Sequence, residues 1–234
     1  MFVVIFEVQP KKARWDDYLA LAKQLKPKLE ATDGFIDNER FKSKRDEGRL
    51  LSLSTWRDEK AVVRWRTHGE HHGVQERGRF EIFQDYHLRV GEVTADTQPP
   101  SGVSVAEQRF DATETGDAKA VTITEITPEA GAAALTADSV PTQLGLDRAT
   151  GGLVDHELFE SIYHAGKLVL LASWRDAEAA EAWDPRKPAS TTIRHRRVRI
   201  IRDYGMFERR EAPQYYPEVK AETSRESTRR AATG

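Results

Sequence analysis

The stretch Leu50–Val90, LLSLSTWRDEKAVVRWRTHGEHHGVQERGRFEIFQDYHLRV, reads as strand, helix and strand, and it holds the densest polar features of the chain. Leu50 to Trp56 is apolar and β-rich, Asp58 is placed as a helix N-cap, and Ala61, Val62 and Trp65 carry an apolar stripe. Helical character continues over His71 to Arg77 with Gly78 as an expected C-cap, and residues 80 to 90 alternate as a closing strand.

Upstream, FVVIFEV at residues 2 to 8 is a strand ended by Pro10. From Ala13 to Ala31, Trp15, Tyr18, Leu19, Ala22, Leu25 and Leu29 recur in steps of three and four, which predicts one amphipathic helix. Pro27 is expected to kink it or to end its regular hydrogen bonding. Asp33-Gly34 turns the chain into a strand through Phe41, and the charged Arg45 to Arg49 hairpin leads into strand 50 to 56. The order β-α-β-β-α-β is the ferredoxin-like plan.

A constant shift of 118 residues maps Glu7 to Glu125, Gly34 to Gly152, Glu39 to Glu157, Ser43 to Ser161, Trp56-Arg57-Asp58 to Trp174-Arg175-Asp176, Trp65 to Trp183 and Asp85-Tyr86 to Asp203-Tyr204. The chain is a tandem duplication. One ferredoxin-like sheet alone leaves an apolar face in water at roughly 25 cal/mol per Å2, and a second sheet can cover it. The predicted fold class is α+β: two tandem ferredoxin-like (βαββαβ) repeats packed as an intramolecular dimeric α/β barrel. The expected division is a first, active repeat over 1–93, a linker over 94–118 in which Val103 to Phe110 could add a strand, a second, degenerate repeat over 119–211, and a disordered tail over 212–234.

Composition narrows the function. The 234 residues are 38% hydrophobic and 32% charged, with a net charge of -2 that gives no reason to expect nucleic acid or an anionic membrane. No apolar run is long enough to span a bilayer, and MFVVIFEVQP alternates like a strand rather than a signal peptide, so a cytoplasmic protein is expected. The absence of cysteine excludes disulfides, thiolate metal sites and cysteine nucleophiles.

The residues Gly34-Phe35-Ile36, Phe41-x-Ser43, Trp56-Arg57-Asp58, Trp65, Glu70-His71-x-x-x-Gln75-x-x-Gly78-Arg79 and Asp85-Tyr86-x-x-Arg89-Val90 carry a resemblance. With them the first repeat resembles the antibiotic-biosynthesis monooxygenase superfamily of dimeric α/β barrels, and within it the heme-degrading monooxygenase-like branch. The likeness covers residues 1 to 93 and, more weakly, 119 to 210. It implies a pocket between sheet and helices for a flat aromatic or porphyrin-like ligand. The well-studied heme degraders use an Asn on the first strand, a Trp on the second helix and a His ligand further along it. Trp65 matches the Trp, FVVIFEV has no Asn, and His71 is the His of the Glu-His-x-x-x-Gln pattern.

The site expected on this basis has His71, Trp65 and Gln75 as catalytic residues and His68, His72, Arg79 and Tyr86 as ligand-binding ones. On a continuous helix His68 and His72 share a face, and without a completing carboxylate they make no dedicated metal site. Trp65 is also explained by core packing, and Arg79 by a surface salt bridge. At the shift of 118, His71 becomes Ala189, His72 Ser190, Gln75 Ile193 and Gly78 Arg196, while Pro185 and Pro188 interrupt the second helix. The copy loses the polar cluster, which places the active pocket in the first repeat. Three functions are open: a monooxygenase on a planar aromatic or quinol-like molecule with no required cofactor, a heme-binding or heme-degrading protein with His71 on the iron, and a non-catalytic binder or structural pseudo-dimer. The expected partner is a small aromatic ligand or heme, and the pseudo-dimer could associate into a further homodimer.

Overall fold

The computed structural model describes residues 1–131, 135–147 and 149–219. Its first half runs β1 (Phe2–Pro10), α1 (Trp15–Glu30), β2 (Phe35–Ser43), β3 (Leu50–Trp56), α2 (Glu59–Thr67), α3 (Gly69–Arg77) and β4 (Phe83–Asp96). The second runs β5 (Ala120–Pro128), α4 (Val140–Gln143), β6 (Leu153–Ser161), β7 (Leu168–Trp174), α5 (Ala177–Glu181) and β8 (Thr191–Gly205). The strands close one antiparallel barrel in the order β1-β3-β2-β6-β7-β5-β8-β4. Two four-stranded sheets thus join at two seams, as the tandem reading predicts.

Strand alternation sorts the side chains. Val3 and Ile5 of β1 point into the barrel, where Phe41, Leu53, Val121, Ile123, Phe159 and Val198 meet them in one buried cluster. The barrel interior is therefore filled core. Phe2 and Val8 point outward under the helices. At the β2–β6 seam, Ser43 donates to Glu157 at 2.5 Å and Ser161 donates to Glu39 at 2.5 Å. This reciprocal exchange explains why Glu39, Ser43 and their copies recur.

The shift of 118 holds for the first three strands of each half and fails for the last. Val4 pairs with Ser54 as Thr122 pairs with Ala172, which keeps 118. Val4 also pairs with Val90, and Thr122 with Arg197, so residue 90 corresponds to 197, a shift of 107. The second half is eleven residues shorter between Trp183 and β8. Asp203-Tyr204 is consequently not the counterpart of Asp85-Tyr86; Ile193 stands where Tyr86 does. The His71–Gln75 cluster was lost, relative to the first half, by omission of a helical segment and not by the point replacements that an ungapped shift suggests.

Other expectations change in detail. Helix α1 runs through Pro27 to Glu30, because the one hydrogen bond proline cannot donate falls in the last turn. The second helix breaks at His68, whose ψ of 125° is extended, so His68 and His72 do not share one helical face. Gly78 keeps right-handed φ of -54° and opens a π-helical turn, Gly78–Ile82; a Cβ there would meet the Phe83 ring at 2.5 Å. Residues 97–118 form no strand. They cross the barrel, with Val103 and Val105 packed on its core and Glu92 accepting the backbone N–H groups of Gln108 and Arg109. Residues 212–219 pack against the first half, and 220–234 of the predicted tail lie outside the described residues. Among the described residues no helix is long and apolar enough to cross a membrane.

Candidate active site

A cavity of about 210 Å3 lies between the outer face of the first half's sheet and α1, α2 and α3. Its floor crosses five strands: Asn38 and Arg40 on β2, Ser52 and Ser54 on β3, Val4 and Phe6 on β1, Tyr86, Leu88 and Val90 on β4, and Tyr204 and Arg202 on β8. Leu21, Ala22, Leu25 and Leu29 of α1 and Val62 and Val63 of α2 make the roof apolar. In the second half the corresponding space is closed by Val140, Leu144, Leu146 and Trp183, whose indole lies 5.7 Å from that of Trp174.

His71 lies on the cavity wall, stacked on Trp65 with ring centroids 4.1 Å apart and an interplanar angle of 17°. Its Nδ1 is 2.9 Å from the Trp65 carbonyl. A carbonyl only accepts, so Nδ1 carries the proton and Nε2 is a bare acceptor. The extended residue His68 makes this possible: it turns α3 back so that His71 folds over the end of α2. Burial, with smaller contributions from His68 and His72, lowers the His71 pKa to about 4, so the ring is neutral near pH 7.

Of the seven predicted residues the cavity gathers Trp65, His71, Gln75 and Tyr86. His68 caps α3 in solvent. His72 points outward and stacks on Tyr216 at 5.8 Å. Arg79 is not a mouth residue: it is 2% exposed and donates to the carbonyls of Met206 at 2.6 Å and Pro217 at 3.3 Å and to the Tyr86 hydroxyl at 3.2 Å. It ties the end of β8 and the C-terminal segment to the first half. Tyr86 also accepts from Arg209 at 2.7 Å, so both its lone pairs face guanidinium groups and its own proton is free to donate.

Several cavity residues escaped the sequence reading. The Asn38 amide donates to the Leu53 carbonyl at 3.0 Å and the Ser52 hydroxyl at 3.1 Å, which leaves Oδ1 as an acceptor. Asn38 and Arg40 are outward residues of a strand that would be apolar if it only packed on helices, a signal open to the sequence. Pro213, Gln214 and Tyr216 wall the cavity from the C-terminal segment; Gln214 donates to Gln75 at 3.1 Å, and the Arg79 and Arg209 guanidiniums lie 5.9 and 5.4 Å from the Tyr216 ring. A larger opening of about 670 Å3 lies at the β2–β6 end of the barrel. Its charges satisfy one another, with Lys167 between Glu39 and Glu125 and Arg196 2.6 Å from Glu125, so the smaller apolar cavity is the candidate site.

Residues 1–77 match the antibiotic biosynthesis monooxygenase family. Over 222 residues the chain is 41% identical to a protein of Pyricularia oryzae named Jasmonate monooxygenase ABM, covering 93% of this chain and 99% of that one. The chain belongs to the antibiotic biosynthesis monooxygenase family. Among solved structures, an antibiotic biosynthesis monooxygenase aligns over 38% of this chain and 95% of its own at 19% identity, with a TM-score of 0.35. An anthrone oxidase-like protein aligns over 91% and 96% at 13% identity, also with a TM-score of 0.35.

The heme-degrading branch of this family implies a porphyrin, and the cavity does not fit one. Its volume lies below the roughly 300–1,000 Å3 of pockets for drug-sized ligands, a class whose bulk a heme reaches or exceeds.

Proposed function

We propose that this antibiotic biosynthesis monooxygenase inserts one oxygen atom into a small, mostly apolar molecule held in the first-half cavity, with jasmonate as the first candidate. The observation that carries the reading is the cavity itself: room for one ring with short substituents, an apolar middle, and the acceptors of His71 and Asn38 with donors from Gln75 and Tyr86 along its wall. The relative that is 41% identical along nearly its whole length supports the choice of candidate.

Monooxygenation places one atom of O2 in a C–H bond and reduces the other to water, which takes two electrons and two protons. A ligand that ionises to a phenolate or enolate can supply the electrons; an unactivated C–H requires an external two-electron donor such as a reduced nicotinamide or flavin. The protein's part is to exclude water, hold the ligand and orient its oxygen functions. His71 with a pKa of about 4 is a poor base toward a phenol at neutral pH, and its role is that of a neutral acceptor.

The flat Trp65–His71 stack favours a second substrate class, a planar quinol. The test is incubation of the full chain with jasmonic acid or a naphthoquinol under isotopically labelled O2, with and without reduced nicotinamide and flavin, followed by mass spectrometry. A product carrying one labelled oxygen, absent from His71→Ala, supports the reading. Unlabelled or unchanged ligand under every condition contradicts it.

A further inference from the structure

The β4–β8 seam brings the second half into the first half's cavity. Leu88 pairs with Tyr204 and Val90 with Arg202, so the floor continues from apolar β4 onto a tyrosine and an arginine of β8. Arg66 reaches the same cavity from the last turn of α2, and Arg209 follows β8 with its guanidinium 5.7 Å from the Tyr204 ring. Three guanidinium groups therefore surround Tyr204. Burial pushes its hydroxyl up to about 12, and the charges of Arg66, Arg209 and Arg202 act against that rise.

The three cations differ in what they already hold. Arg209 donates to Tyr86 and to the carbonyls of Gly205 and Gln214. The guanidiniums of Arg66 and Arg202 have no hydrogen bond or ion pair among the described residues, and the Arg66 Nε is sealed from solvent without a partner. The carboxylates recorded nearest to them, Glu59 and Asp111, are ion-paired elsewhere. Glu59, which lines the cavity, is held by Arg109 at 2.8 Å, and Asp111, which acts on Arg202 through space, is also paired with Arg109. A half-buried guanidinium without an ion-pair partner is open to an anion, and it matches a carboxylate in geometry as well as charge. One end of an otherwise apolar cavity is thus cationic, and among the described residues no carboxylate forms an ion pair with Arg66 or Arg202.

We infer that the cavity takes a small carboxylic acid, with its carboxylate received by Arg66 and Arg202 beside Tyr204. The apolar body lies along Leu88, Phe6 and Val4 and points toward the Asn38 amide on β2. The floor from β8 to β2 is four strand spacings, roughly 19 Å, so the ligand's far end stops short of or just reaches Asn38. This deepens the monooxygenase reading and rests on it only for the choice of one probe.

The test measures binding, not turnover. The full chain is titrated with jasmonic acid and methyl jasmonate, and with octanoic acid and methyl octanoate, following the fluorescence of the tryptophans, of which Trp65 lines the cavity. The acids are expected to bind about ten-fold or more tighter than their esters, and added salt to narrow that gap. Arg66→Gln with Arg202→Gln is expected to remove the preference and leave ester binding in place, and Arg66→Lys to retain part of it. An ester that binds as well as its acid, variants that keep the full preference, or no binding by either acid overturns the inference. Acid preference in the octanoate pair alone removes jasmonate as candidate and leaves the anion site standing. Tight acid binding without any oxygenated product removes the monooxygenase reading and likewise leaves it standing.

Discussion

His71 lies flat on Trp65, 4.1 Å between ring centroids, and donates its Nδ1 proton to the carbonyl of the same tryptophan. The hydrogen bond fixes the tautomer, and burial keeps this cavity-lining imidazole neutral near pH 7. His71→Ala removes the acceptor and leaves the Trp65 face exposed, and a loss of about ten-fold to a hundred-fold in kcat/KM is expected. His71→Gln, which keeps an acceptor, restores part of it. Because the His71 pKa is about 4, activity that depends on the neutral ring stays flat from neutral pH down to about 5 and falls below that. A profile that instead falls through pH 6.5 contradicts the neutral-acceptor role.

His195 tests burial in the second half, away from the cavity. It is 4% exposed, its Nδ1 is 2.9 Å from Thr124 Oγ1, and burial followed by the charge of Arg197 lowers its pKa from 6.5 to about 4. A histidine whose folded pKa is depressed takes up its proton only in the unfolded chain between those two values. Its stabilising contribution is complete above about pH 6.5 and declines as the pH falls toward 4, by at most about 3 kcal/mol. Denaturant midpoints at pH 7.5 and 5 should differ less in His195→Gln than in the parent chain. Equal pH dependence in the two proteins contradicts this.

Gly34 and Gly152 are the same device used twice. Each has positive φ, 89° and 76°, and a Cβ on either would sit 2.5 Å and 2.4 Å from the Cβ of Ala61 and Ala179. Alanine at either glycine is expected to cost about 2 kcal/mol, from the left-handed backbone and the clash together. Ala61→Gly in the Gly34→Ala background relieves the contact and not the backbone, so it recovers only part of the loss. Thermal melts of the four proteins check the cycle.

The C-terminal segment is a wall of the cavity. Tyr216 is held between the Arg79 and Arg209 guanidiniums and against His72, and Gln214 is tied to Gln75. Removing residues 212–234, or Tyr216→Ala, is expected to raise ligand dissociation rates several-fold while costing about 1–2 kcal/mol of stability. Stopped-flow release measurements check it; release at the parent rate shows that the segment covers nothing the ligand uses.

The fold was legible because the features that specify it are periodic and repeated. Trp56-Arg57-Asp58 and its copy mark a strand end and a cap, and each aspartate accepts from the backbone N–H three residues on, at 2.8 Å. The closing strand misled because Asp85-Tyr86 and Asp203-Tyr204 match by letter at a shift of 118, whereas pairing register fixes the true shift at 107. A cross-strand partner, and not an identical residue, defines equivalence. In the site, the resemblance to the family pattern pointed to His71 and Gln75, and the apolar stripe of α2 together with that resemblance pointed to Trp65. Reading the sequence along one element at a time missed Arg66 and Arg202, whose significance lies in partners they lack, and Tyr216, which reaches the cavity only through Arg79 and the closure of the barrel. No one-dimensional pattern carries that information.

If ligand occupies the first-half cavity, filling that cavity abolishes binding. Ala22 lies in its α1 roof, so Ala22→Phe places a ring in the space the substrate needs. Ala22→Phe is expected to keep its thermal midpoint within a few degrees and to lose more than about ten-fold in binding of the acid probe and in product formation. Binding and turnover at the parent level in a folded Ala22→Phe protein would place the site elsewhere.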